Sequence, residues 1–96
     1  MTIKTLLKEK RQEILRIAQE YGARSIRLFG SAARGDDMPD SDIDFLVEME
    51  DGRSLFDIGG MQMDLQDLLG RKVDIVTEKG MRPRIRDRVS KEAVSL

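Results

Sequence analysis

The chain has 96 residues, contains neither cysteine nor histidine, and sets 17 basic against 18 acidic side chains for a net charge of -1. That length suits one small domain, residues 1–96, with a single core, and the two absent residue types exclude disulfides, thiol nucleophiles, thiolate or histidine metal sites and histidine-based proton transfer. Charged residues make up 36% of the chain yet nearly cancel, and no apolar run reaches signal or membrane-spanning length, so a cytoplasmic protein that engages neither membrane nor DNA is expected.

From Ile3 to Tyr21 the apolar residues Ile3, Leu7, Ile14, Ile17, Ala18 and Tyr21 recur at helical steps among Lys and Glu, and Gly22 follows as a stop. This predicts one amphipathic leading helix. Ser25 to Phe29 reads as a short strand with Ile26 and Leu28 on one face, ending at Gly30, after which Ser31 is placed to cap a short helix. Residues 35–41 are turn chemistry throughout, Gly-Asp-Asp-Met-Pro-Asp-Ser. Asp42 to Glu50 then alternates, with Ile43, Phe45, Val47 and Met49 on one face and Asp42, Asp44, Leu46 and Glu48 on the other.

Asp51-Gly52 ends that strand, and Ser54 with Asp57 forms the pattern of a capping box. The helix it opens has an apolar stripe of Leu55, Ile58, Met61, Leu65, Leu68 and Leu69, closed by Gly70. Inside it, Gly59 and Gly60 each cost about 1 kcal/mol relative to alanine, so either the helix starts later or something packs closely there. Lys72 to Val76 is a further strand that buries Val73 and Ile75 and turns Asp74 to the other face; strand, helix, strand suggests a crossover unit. A last helix has Pro83 in its first turn and a narrow apolar stripe of Met81, Ile85, Val89 and Ala93. No internal repeat or interdomain linker is apparent.

Chemistry concentrates in two places. Asp42 and Asp44 stand two residues apart, so on a strand they share a face at a spacing of about 6.6 Å along the chain direction. Such a pair repels itself unless a cation lies between, and an oxygen-only donor set suits magnesium or manganese. If the strand carrying Asp74 lies beside them, Asp74 joins the pair as a third ligand placed to help deprotonate an attacking hydroxyl. Taken alone, Asp-x-Asp is more often the polar face of a half-exposed sheet. The second place is Gly30-Ser31-Ala32-Ala33-Arg34-Gly35: glycine lets backbone approach a phosphate, the Ser31 hydroxyl and the N–H groups of a short helix accept an anion, and Arg34 adds charge one turn on. Gly-Ser alone is a weak signal, common in simple turns.

Together, the strand ending in Gly30-Ser31, the Arg34-Gly35 pair, the ten residues between Ser31 and Asp42-x-Asp44, and the Val73-Asp74-Ile75-Val76 strand resemble the minimal nucleotidyltransferases of the polymerase-beta superfamily. The chain is similar over essentially its whole length to the MNT antitoxins of HEPN/MNT toxin–antitoxin pairs. The resemblance implies an α+β fold, a small mixed sheet of about three to four strands packed by helices. It implies ATP as donor with two magnesium ions, and transfer of AMP to a tyrosine hydroxyl of a partner HEPN ribonuclease. In that reading Gly30 and Ser31, with Arg34, hold the triphosphate, Asp42 and Asp44 hold the two metals, and Asp74 serves the catalytic metal and the nucleophile. Two rivals stand beside it: an antitoxin that neutralises its toxin by occlusion alone, and the catalytic subunit of a two-chain small-molecule or tRNA nucleotidyltransferase.

Arg82, Arg84, Arg86 and Arg88 spread around the last helix, either as a solvated face or as a dock for an acidic partner or RNA. Met61 and Leu65 are expected in the core, leaving Met63 as a candidate partner contact.

Overall fold

Two helices, Ile3–Glu9 (α1) and Arg11–Glu20 (α2), stand where the sequence predicts one. The apolar stripe skips from Leu7 to Ile14, and in that gap Lys10 takes φ -98°, ψ 6°. Hydrogen bonds from Lys10 N–H to the Leu6 carbonyl (3.0 Å) and from Ile14 N–H to the Lys10 carbonyl (2.9 Å) carry the ladder across the break. Both halves bury their stripe, Ile3 and Leu7 in the first and Ile14, Ile17 and Ala18 in the second. The computed structural model describes residues 3–35 and 42–96; the turn expected over 36–41 lies outside them.

The strands are Ala23–Phe29 (β1), Ile43–Met49 (β2), Val73–Thr77 (β3) and Val94–Ser95 (β4), in the spatial order β3-β2-β1-β4. β1 is antiparallel to β2 and to β4, and β2 is parallel to β3, so the sheet is mixed. A four-residue helix, Ser31–Arg34 (α3), follows β1; Leu55–Leu69 (α4) is the crossover from β2 to β3. A 3-10 turn at Glu78–Gly80 and a last helix, Pro83–Glu92 (α5), lead from β3 to β4 on the opposite edge. α4 begins and ends as its sequence requires. Ser54 accepts a hydrogen bond from Phe56 N–H, Asp57 accepts one from Ser54 N–H, and Gly70 closes the helix at φ 66°.

Register assigns the two faces of the sheet. Ile26 pairs with Val47, Leu28 with Phe45, and Ile43 with Val73, so these six share one face and are buried together with residues of α1, α2 and α4. The other face carries Phe29, Asp44 and Asp74 in one row and Arg27, Leu46 and Val76 in the next. Leu46, expected on a polar face, is only 1% exposed. Both faces of β2 are therefore packed at its centre, as befits an inner strand.

Two further expectations need correction. Leu55, counted in the stripe of α4, is 83% exposed; the buried residues of the helix are Met61, Leu65 and Leu69. Its first turn projects past the core. α5 buries no residue: Met81 precedes it, Ile85 is exposed, Val89 is half-buried and Ala93 is its cap. Helical period alone does not say whether a stripe finds a partner. β4 is the fourth strand that the resemblance allows; its two residues are too few to show an alternation, so no residue pattern marks its place.

The paired glycines have separate explanations. A Cβ on Gly60 would stand 2.5 Å from Cε1 of Tyr21, whose hydroxyl donates to Asp64 Oδ2 at 2.7 Å. That carboxylate holds the Tyr21 pKa above its usual 10.0. Gly59 has nothing within 4 Å of its Cβ direction. Gly60→Ala is therefore expected to destabilise by about 1–3 kcal/mol through overpacking, and Gly59→Ala to stabilise by about 0.5–1 kcal/mol. Urea unfolding of the two variants reads both signs, and shifts of equal sign would sink the Tyr21 packing account.

Candidate active site

Gly30 ends β1 with φ 74°, a conformation that favours glycine, and a Cβ placed there would collide with Oδ2 of Asp44. The loop after β1 and the second aspartate are thus in direct apposition, with the carboxylate lying over bare backbone. β2 positions Asp44 through its pairing with Phe29 of β1 on one side and Asp74 of β3 on the other. Neighbouring strands run about 4.8 Å apart, so Asp44 and Asp74 present two carboxylates side by side on one face. Asp44 is half-buried and Asp74 exposed. Asp42, half-buried, immediately precedes β2.

The two strands are tied together where the aspartates begin. Ile43 N–H donates to the Lys72 carbonyl at 2.9 Å. On the outer side of β3, which is an edge strand, Gln62 Nε2 donates to the Val73 carbonyl at 2.8 Å and Val73 N–H donates to Gln66 Oε1 at 3.1 Å. Two glutamines one turn apart on α4 thereby replace a missing neighbouring strand and fix the residue before Asp74. Sequence reading missed them; their signal is a pair of amides at an i, i+4 spacing on the crossover helix. It also missed Arg27, which lies one row along from Asp44 on the same face and pairs with Glu78 after β3.

Of the residues singled out from sequence, Gly30, Asp44 and Asp74 come together, and Asp42 leads into the same strand. Ser31 and Arg34 lie in α3, which packs Ala32 into the core; their side chains are outside the described residues. Among the described residues no three acidic side chains cluster closely enough to hold a metal ion by themselves. The donor set nonetheless fits a hard divalent cation, since magnesium is commonly held by one or two carboxylates with substrate phosphates completing the shell. The bare backbone at Gly30 lets the Asp44 carboxylate lie directly against the loop that follows β1.

A cavity of about 410 Å³ opens at the opposite end of β2 and β3, bordered by Glu48, Arg53, Thr77, Lys79 and Arg86. There Lys79 donates to Asp51 at 2.9 Å and holds its carboxyl below the usual carboxylate range. The aspartate row lies at the start of the two strands, so this cavity is a separate feature.

Comparison with known proteins matches residues 7–96 to the family described as a nucleotidyltransferase domain. The protein adenylyltransferase MntA of Thermococcus cleftensis is 34% identical over 92 residues, covering 96% of this chain and 90% of that protein. A Methanocaldococcus jannaschii protein with a provisional protein adenylyltransferase name is 36% identical over 90 residues, covering 94% and 97%. A solved structure provisionally described as a minimal nucleotidyltransferase superposes with a TM-score of 0.90 at 44% identity, over 100% of this chain and 97% of the other. The fold recurs, at a TM-score of 0.74 and 22% identity over 86% and 68% of the two chains, in a toxin–antitoxin structure containing AMP-PNP.

Proposed function

The chain belongs to the nucleotidyltransferase domain family and is an enzyme of that class, and from that premise we propose that it is an antitoxin that transfers AMP from ATP to a tyrosine hydroxyl of a partner HEPN ribonuclease. The observation that carries this reading is the apposition of Gly30, Asp44 and Asp74. One glycine opens backbone to a phosphate, and two carboxylates on adjoining strands face the same volume. Relatives named as protein adenylyltransferases support AMP and a protein acceptor, and the fold's occurrence in a toxin–antitoxin structure with AMP-PNP supports a partner chain and a nucleotide.

In this reading the triphosphate lies along Gly30 and the start of α3, with Ser31 and Arg34 as further contacts. Asp42, Asp44 and Asp74 would hold the divalent cations, which when bound neutralise phosphate charge and lower the pKa of the attacking hydroxyl. The acceptor oxygen bonds to the α-phosphorus as the bond to the bridging oxygen of the β-phosphate breaks. Pyrophosphate leaves, and the hydroxyl proton passes to Asp74, the most exposed of the three. β2 and β3 hold the two carboxylates in fixed register, so little reorganisation is needed as charge develops.

The test mixes the purified chain with ATP, magnesium and the neighbouring gene's product. The expected result is a gain in the partner's mass equal to one or more AMP residues, lost when EDTA is added. A partner whose mass never changes, yet which is still neutralised by a chain lacking Asp42, Asp44 and Asp74, overturns the catalytic reading in favour of occlusion.

A further inference from the structure

The exposed side of α4 carries a surface that the aspartate site does not use. Phe56 is 91% exposed and Met63 is 66% exposed. At 100° per residue they fall on one stripe with Gly59 and Asp67, opposite the buried Met61, Leu65 and Leu69. Two large apolar side chains left in water on one helix face are costly unless something covers them. Gly59 sharpens the point. It weakens the helix, it is exposed, and no atom of the described residues lies within 4 Å of its Cβ direction, so no contact among them accounts for it. A helix interior without a Cβ lets another group come close, as Gly60 does for the Tyr21 ring on the neighbouring side.

Charge selects the occupant. Every charged residue within Leu55–Leu69 is acidic: Asp57, Asp64 and Asp67. Two copies meeting through this face would bring like charges together. The basic α5 of a second copy exposes only Ile85 among its large apolar side chains, so it offers no ridge to cover both Phe56 and Met63. We propose that this face docks a helix of the partner chain, one with an apolar ridge that crosses at Gly59 between Phe56 and Met63 and a Lys or Arg that meets Asp67. This rests on the reading of the chain as half of a two-chain system, and adds that the partner is held at a place other than where its hydroxyl reacts.

The experiment measures binding of the full chain to the neighbouring gene's product by calorimetry, alongside thermal melting and binding of ATP with magnesium. Phe56→Asp with Met63→Asp is expected to weaken the complex by at least about tenfold, with melting and ATP binding unchanged. Gly59→Leu, at an exposed position, provides a second variant with the same expected loss. Asp67→Asn is expected to flatten the salt dependence of binding. Equal affinity of parent and both variants overturns the proposed surface, as does a self-associated chain whose oligomer is broken by the double substitution without any loss of partner binding. A parent chain that binds the neighbouring product with no transfer fails the catalytic reading and leaves the surface standing; a parent that does not bind it fails both.

Discussion

Asp44→Asn abolishes AMP transfer, with a fall in kcat of at least about a thousandfold, in a protein that remains folded. The magnitude follows from position: losing a group that merely orients a metal ligand typically costs about 10–100-fold, and Asp44 is proposed to be a ligand itself. Its carboxylate lies over Gly30 and beside Asp74, at the meeting point of nucleotide and acceptor in the proposed reaction. Asparagine keeps the shape and removes one of two adjacent negative charges, so stability is expected to stay within about 1 kcal/mol of the parent. Single-turnover incorporation of label from α-labelled ATP, read beside a melting curve, checks both halves. A variant that retains a tenth of parental activity would remove Asp44 from the proposed role.

Gly30→Ala is expected to be nearly as damaging, by at least about a hundredfold, although no functional group is lost. At φ 74° any L side chain is strained, at a cost of about 1–2 kcal/mol. In addition the new Cβ meets Asp44 Oδ2, so the carboxylate must swing away from its place between the strands. A displacement of about 1 Å at a reacting centre can cost a hundredfold in rate. Gly70→Ala separates the two contributions: Gly70 also has a positive φ, 66°, but nothing lies within 4 Å of its Cβ direction. It is expected to lose stability comparably and to keep its activity. Inactivation of both variants to the same degree would mean that backbone strain alone, not the clash with Asp44, accounts for the loss.

What could be read from the residues was what is local or periodic. The alternation through Ile43, Phe45 and Val47 assigns a face to Asp42 and Asp44, and Ser54, Asp57 and Gly70 mark the ends of α4. Val73 and Ile75 put Asp74 on the same side as Asp44, which the parallel register bears out. The rest depends on contacts between distant parts of the chain. That Gly60 seats Tyr21, that Gln62 and Gln66 close the edge at Val73, and that Leu46 is buried on the aspartate face are all properties of pairs. No single segment carries a mark of them. α5 shows the converse, a periodic stripe that meets no core.

The glutamine clamp on β3 has a dynamic consequence. An outermost strand ordinarily frays first, because one side of its backbone is held only by water, and small proteins open locally along such seams. Here the outward N–H and carbonyl of Val73 are held by α4, which is itself anchored in the core by Met61, Leu65 and Leu69. The segment bearing Asp74 cannot peel away while that helix is in place. Its opening is coupled to the loss of the main packing layer, so an edge strand shares the lifetime of the buried one beside it.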